Sequence, residues 1–487
     1  MMQAQFQVAR GGRPGYVEPV LVLLVLVGTA GAGVGLAFSG PAALLLPLII
    51  ICALGVAMAP YGVLLTLLVS MIIIEPGAID GTGSLSPMLY SLPAGVRLPL
   101  TTSPIEIVVF LAAAFSLRRR DRLASIRLPR LVYLVPITIA LGFAYGAING
   151  GDIHIGYNEA RGLIFGICVF VIVASGEPLQ LRRLGTCVIV ATGILAAVIV
   201  WRYFTIVKPG DLDVPLEFAF AHESSVILGI GFVSAITLMT KSEVRGWQRV
   251  VLIGYCMLIC LAFVVSQRRA ATLVALTGAL TVAGLVYGKR PLMVVLVSIP
   301  ILLGFAVYVG AYWNKEYGAS AQPARAIRSQ ISPSARDESS DLYRTNERTS
   351  VIETIRANKV FGVGFGRQFA QYQPLPNLES FWPLQFYTPH ESLLWLWLKL
   401  GFLGLSAFLG VVGLAVARCV HIVRRSTAIG DREVLAIITA ATLLMYLAFS
   451  TVDIAMVGPR GAVPLAVALA IAFALPPPAL DPDREAK

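Results

Sequence analysis

Apolar runs separated by short polar turns recur along almost the whole chain, at about 18–38, 41–59, 61–75, 104–117, 131–148, 161–176, 184–203, 223–240, 250–265, 270–287, 291–312, 389–417, 433–450 and 460–476. A helix needs about 20 apolar residues to cross a hydrocarbon core. A helix also satisfies its own backbone hydrogen bonds inside lipid. The pattern therefore predicts an all-α polytopic integral membrane protein with about 14 transmembrane helices, or 12 to 14 because several runs are short. The first run follows MMQAQFQVARGGRPGYVEP and carries no small-residue cleavage site, so it reads as a signal-anchor span.

One stretch interrupts the pattern and divides the chain. Residues 1–312 hold the first eleven spans, 313–388 form a long extracytoplasmic loop, 389–476 hold the last three spans, and 477–487 form an unstructured cytoplasmic tail. Within the loop, SAQPARAIRSQISPSARDESS is polar and expected to be mobile. The following LYRTNERTSVIETIRANKVFGVGFGRQF has helical spacing to about Asn358 and then a Gly-rich turn. The last part, LPNLESFWPLQFYTPH, is aromatic and leads into the next span. A long ordered loop of this kind usually carries function.

Charge orients the spans. With the N-terminus inside, the inner segments hold Arg10 and Arg13; Arg118, Arg119, Arg120, Arg122, Arg127 and Arg130; Arg182 and Arg183; Lys241, Arg245 and Arg249; Lys289 and Arg290; and Arg418, Arg424, Arg425 and Arg432. Cytoplasmic loops are enriched in Lys and Arg, so this alternation predicts a multi-pass protein of the cytoplasmic (inner) membrane with both termini inside. The same bias explains the formal net charge of +11 without nucleic acid. Charged residues make up only 13% of the chain, about half of what soluble domains carry. The six cysteines, Cys52, Cys168, Cys187, Cys256, Cys260 and Cys419, lie in apolar runs or at inner edges and read as small packing residues rather than a disulfide framework.

The basic residues that break the charge rule are Arg161, Arg202, the pair Arg268–Arg269, and the loop series Arg325, Arg328, Arg336, Arg344, Arg348, Arg356 and Arg367. Arginine contacts phosphate oxygens in a bidentate manner, so an outer cluster suits a lipid-linked phosphate; snorkelling to lipid or a solvated helix face is the competing account. The turn FGVGFGRQF lacks the strand that a dinucleotide site requires and reads as a fold-back onto the membrane domain. His390, with Glu391 beside it, stands where the loop enters a span. Histidine can take a proton from a hydroxyl near neutral pH, and helix capping is the alternative. His222 repeats the triplet His-Glu-Ser and competes for the same role; His154 is a third outer histidine and His421 is cytoplasmic. Phe381, Trp382, Phe386 and Tyr387 either stack on sugar rings or form an interfacial belt.

Three of these segments, in order, resemble the O-antigen ligase and polymerase family, the Wzy-type membrane glycan polymerases. Ser266 to Ala271 match a small-Arg pattern between two spans, with Arg269 at the arginine position. Arg344 precedes the turn of Gly362 and Gly364 at the family's spacing, with Arg348 where an aromatic is usual. His390, Gly401 and Gly404 fit the final frame. The resemblance covers about 250–410, with weaker agreement at Arg161. Glu391 departs from the usual Asn, Ser or Gln, and Lys399 from a common acidic residue. The resemblance implies a GT-C-like class B fold and metal-independent, inverting glycosyl transfer outside the membrane, with no cofactor. The implied donor is a glycan on a polyprenyl diphosphate, and the acceptor is a sugar hydroxyl on a glycan or glycolipid within the membrane. His390 would be the base, with Glu391 beside it. Arg269 and Arg344, with Arg268, Arg348, Arg161 and His222 around them, would bind substrate.

A transporter or flippase is the rival reading, but it calls for ionisable residues near the midplane, whereas this sequence concentrates charge in one outer loop. A metal-dependent glycosyltransferase would want acids in the first outer turn, which has none; the Asp211–Asp213 pair comes much later.

Overall fold

The computed structural model describes residues 60–75, 103–117, 126, 128–176, 178–207, 221–266, 268–288, 291–315, 319–332, 335–378, 382–426 and 428–476. The first two expected spans with the signal-anchor reading, the inner loop 118–125, Asp211 and Asp213, Phe381, Cys52 and the tail 477–487 lie outside the described residues. All regular structure among the described residues is helical. In chain order the α-helices are α1 (Pro60–Ile73), α2 (Pro104–Ser116), α3 (Arg130–Ile148), α4 (Ile153–Ala174), α5 (Pro178–Arg202), α6 (Ser224–Met239), α7 (Gly246–Ser266), α8 (Arg269–Tyr287), α9 (Pro291–Tyr312), α10 (Gln322–Ile331), α11 (Ala335–Ala357), α12 (Ser392–Arg425), α13 (Asp431–Ser450) and α14 (Pro459–Ala474).

Twelve of these helices coincide with expected apolar runs. Seven, namely α3, α4, most of α5, α7, α8, α12 and α13, are long and apolar enough to cross a membrane, and shorter apolar helices accompany them. Helices α3, α7 and α9 turn Leu141, Val250, Met257, Leu303 and Val307 outward, each more than half exposed. Rows of large apolar side chains facing outward fit a lipid surround, because a water-soluble chain rarely exposes such contiguous area. The chain is therefore a multi-pass membrane protein.

Helix α13 lies at the centre, packed on α6, α8, α12 and α14; α14 in turn lies along α4. Small residues set that last approach. Gly162 leaves no room for a Cβ beneath the carbonyls of Met456 and Val457, and Gly166 faces the methyls of Ala462 and Ala466. Small residues at matched turns let membrane helices meet closely where no hydrophobic drive exists between them.

Two expectations need correction. The loop segment read as mobile is helical over α10 and from the start of α11. Its polar sequence concealed α10, whose Arg328 donates to the carbonyl of Trp313 at 2.8 Å and ties it to the end of α9. Helix α4 also begins earlier than the apolar run at 161. The Asp152 side chain accepts from the Ile155 N–H at 2.9 Å and starts the helix within polar sequence.

Candidate active site

Chain reversal after α11 creates the scaffold. Gly362, Gly364 and Gly366 have φ of 67°, 83° and 78°, a region that side chains with a Cβ rarely adopt. Alternating with Val363 and Phe365, they lay the backbone into a seam of the bundle. The Val363 N–H donates to Leu398 O (2.7 Å), that of Phe365 to Gly142 O (3.1 Å), and Asp152 N–H to Gly366 O (3.0 Å). Gly401, at φ 67°, breaks α12 where the turn passes. The break frees backbone groups that the loop satisfies: Leu398 O takes Val363 N–H, and Phe402 N–H finds Lys359 O at 2.9 Å. The Gly-rich turn and Gly401 are therefore two halves of one joint.

A buried ion pair locks that joint. Lys399 Nζ lies 2.8 Å from Glu159 Oε1, both side chains fully buried. Lys399 also donates to Arg367 O (2.5 Å), and Glu159 Oε2 accepts the Gly366 N–H (2.6 Å). The lysine that departs from the family's acidic residue is thus answered by an acid on α4.

The loop carries its own small core. Val351, Ile355, Val363, Phe369 and Phe386 close against Leu398 of α12. Ser350 Oγ accepts the N–H groups of Tyr372 and Gln373, each at 3.1 Å. This packing fixes α11 above the start of α12 and brings Glu347 to His390. Glu347, only 2% exposed, accepts the His390 backbone N–H at 3.0 Å, and its two oxygens lie 2.9 and 3.1 Å from Nδ1. Ring donation from Nδ1 to the carboxylate leaves Nε2 as the acceptor, the assignment following from the partners. Trp382 and Tyr343 stand edge-on to the imidazole, with centroids at 4.9 and 5.6 Å. Burial beside Glu347 pushes the Tyr343 hydroxyl up to about 12, so it stays a neutral donor. Of the other aromatics, Phe386 belongs to the loop core and Tyr387 lies over the Lys399 ammonium, 5.7 Å from it.

Glu391 is the N-cap residue of α12, without a side-chain capping bond. Its carboxylate lies 3.5 Å from Arg348 Nε. Burial raises its pKa, Glu347 adds to the effect, and Arg348 and Arg344 oppose it.

The second expected histidine sits in a matching frame. His222 and Glu223 precede α6 as His390 and Glu391 precede α12. His222 Nδ1 lies 2.7 Å from Asp453 Oδ2 and 2.9 Å from Arg268 Nη1. One ring nitrogen serves a carboxylate and a guanidinium in turn, since it cannot donate and accept at once. Burial alone would raise Asp453, but the His222 bond, the Ile454 N–H and Arg268 hold it below the usual carboxylate range. Burial lowers the Arg268 guanidinium, against the attraction of Asp453, Glu223 and Glu75. The two histidine frames are linked, because Ser392 Oγ donates to Asp453 O (3.0 Å) and accepts Ala455 N–H (2.7 Å).

The structure gathers His390, Glu391, Arg344, Arg348, Arg268, Arg269 and His222 at one end of the bundle. Arg344, on the exposed face of α11, acts electrostatically on both Arg268 and Glu391. Arg269 Nη1 stands 3.6 Å from Asp341 Oδ1, one turn back along α11. Arg161 borders this group rather than joining it: it lies on α4, its Nε 3.8 Å from Glu106 of α2. His154 is exposed at the start of α4, and His421 lies near the far end of α12.

Charge is not confined to the loop, contrary to the sequence expectation. Glu75, just past the end of α1 and 1% exposed, is bonded by Arg202 and Ser224 and by the Ala221 N–H at 3.1 Å. Arg460, 2% exposed, donates to the carbonyls of Met71 (2.7 Å) and Ile72 (3.1 Å) and reaches Glu75 at 3.4 Å. These acids and bases neutralise one another at the helix ends, and single apolar windows conceal them. Glu347 had a legible signal. Tyr343, Glu347, Val351 and Ile355 recur every fourth residue, which places one acid in the apolar stripe of α11.

Comparison with curated proteins found no match. Residues 254–409 match the family model described as O-antigen ligase. That segment runs from α7 to α12 and includes Arg268, Arg269, Arg344, Arg348, Glu347, His390, Gly401 and Gly404; His222, Asp453 and Arg460 lie beyond it. The matched segment thus holds both the Gly joint and the His390–Glu347 pair, and this multi-pass membrane protein is similar over residues 254–409 to the O-antigen ligase family.

Proposed function

We propose that this protein transfers a glycan from a polyprenyl diphosphate to a sugar hydroxyl on a glycan or glycolipid, on the extracytoplasmic side of the cytoplasmic membrane, within a GT-C-like class B fold. The observation that carries the reading is the His390–Glu347 pair, set among arginines at one end of a membrane bundle.

In the proposed step His390 Nε2 takes the proton of the acceptor hydroxyl. The acceptor oxygen forms its bond to the anomeric carbon from the face opposite the diphosphate, and the configuration inverts. The bond from that carbon to the diphosphate oxygen breaks, and its electron pair leaves with the diphosphate. Arg268, Arg269 and Arg344 stabilise the departing charge, and charge-assisted contacts of this kind act most strongly away from water. The arginines supply the positive charge, so the reading calls for no metal. Glu347 orients the imidazole and steadies the imidazolium as it forms, a role that carboxylates play toward catalytic histidines. His390 is favoured over His222 because its Nδ1 faces a carboxylate alone, whereas His222 shares that atom with the Arg268 guanidinium.

The test is incubation of purified protein with polyprenyl-diphosphate glycans and a sugar acceptor, with products read by mass and anomeric configuration by NMR. Wild type should form an inverted linkage in the presence of chelator, and His390→Ala should still bind donor yet lose transfer by about 10²-fold or more. Full transfer by His390→Ala with loss in His222→Ala would move the base to the other triplet. Retention of configuration would remove the single-displacement step.

A further inference from the structure

Between α1, α5, α6, α13 and α14 runs a slot of about 800 Å³ of unfilled space, its mouth included. Leu68 and Met71, Val188, Ile227, Ile438 and Val467 line it, one or two from each helix. Its lining residues on α14 extend from Arg460 to Ile471, about 16 Å at a helical rise of about 1.5 Å per residue. That is roughly half the thickness of a hydrocarbon core. Among the described residues, Arg460 is the single charged one in the lining. Its Nε and Nη2 are engaged by the end of α1, while Nη1, buried, has no hydrogen bond and stands 3.9 Å from Glu223 Oε2. A buried arginine at the edge of a membrane span is costly and marks function more often than packing.

We infer that this slot holds the isoprenoid chain of the lipid-linked donor, with Arg460 marking its phosphate end. An apolar slot with a buried guanidinium nitrogen left without a hydrogen bond at one end is complementary to a long hydrocarbon with one anionic end. The polar end also lies toward the right place. Arg460 reaches Glu223, the residue next to His222, and His222 contacts Arg268. A phosphate leaving the slot therefore meets the arginines that the proposed transfer uses. The inference rests on that proposed function only for the identity of the lipid; the slot and its charged end stand by themselves.

Gly185 offers a clean probe, because it lines the slot on α5 and a Cβ there would meet nothing within 4 Å. Gly185→Phe should fill the slot without displacing a neighbour. A polyprenyl phosphate carrying a diazirine at its far end is irradiated with the purified full chain, and labelled peptides are mapped by mass. Labelling should fall on α5, α13 or α14 within the slot, be displaced by unlabelled polyprenyl phosphate, and drop about tenfold in Gly185→Phe. In transfer assays the variant should discriminate against long-chain donors by about tenfold while using short-chain donors as wild type does. Label confined to the outward faces of α3, α7 and α9, or unchanged in Gly185→Phe, overturns the slot even if transfer is confirmed. Label in the slot without transfer from any donor leaves the slot standing and removes the proposed function instead.

Discussion

Glu347 accepts two hydrogen bonds from one residue, the backbone N–H and the ring Nδ1 of His390, while 2% exposed. A buried carboxylate is tolerated only when such donors satisfy it. Glu347→Gln keeps its volume but turns one oxygen into a donor that faces two donors. It should therefore misorient the imidazole and lower transfer by about 10²-fold, with donor binding preserved. Donor binding can be followed by the cross-linking described above, and wild-type turnover in Glu347→Gln would reduce the pair to a packing feature. Asp453 makes a different prediction. Its carboxyl is held below the usual range in the folded chain and returns to about 3.9 on unfolding. Its stabilisation is therefore complete above that unfolded value and is lost as pH falls through the depressed one. In detergent, Asp453→Asn should unfold at a lower temperature than wild type at pH 7, and the gap should close as pH falls below about 4. A gap that stays constant with pH would show that ionisation of Asp453 contributes nothing to stability.

At the scale of elements, the joint between α4, α12 and the Gly turn decides whether the loop reaches His390 at all. Lys399 and Glu159 each satisfy a backbone group of the turn as well as one another. Removing one partner of a buried pair strands the other charge and typically costs about 3–5 kcal/mol. Lys399→Met should therefore cost about that much in stability, and adding Glu159→Gln should recover part of it, since an amide can still accept the Gly366 N–H. Unfolding in denaturing detergent measures both; two independent, additive losses would argue against a coupled pair. The joint was only half legible in the sequence. Three alternating glycines announced a turn folding back onto the membrane domain, and the spacing from His390 to Gly401 set a frame. Nothing in either segment revealed that Gly401 breaks its helix to receive the turn, because that hydrogen bonding joins residues far apart in the chain. Helical phase exposes Glu347 once α11 is known to pack, yet the polar flanks of α11 read as solvated. Asp453 and Arg460 lie in and after a short turn with no local pattern, and only the packing of α13 and α14 brings them to the site.

For the whole molecule, the proposed transfer depends on which end of the bundle faces out. The starts of α4, α6, α8, α12 and α14 meet at one end through the bonds of Asp152, His222, Arg268, Ser392 and Arg460. The connections at the other end include Lys241 and Glu243, Arg245, Arg424, Arg425 and Arg432, a basic set that the positive-inside bias assigns to the cytoplasm. The arginines at the site end break that bias unless they serve an anionic substrate, so orientation and chemistry stand or fall together. Ser340 on α11 and Ser242 between α6 and α7 are both exposed, at opposite ends. In a chain whose six native cysteines are replaced, Ser340→Cys should react with a membrane-impermeant maleimide in intact spheroplasts. Ser242→Cys should react only after the membrane is opened. The reverse pattern would place the His390–Glu347 pair in the cytoplasm, where a glycan already exported on its lipid could not reach it, and the transfer proposed above would lose its donor.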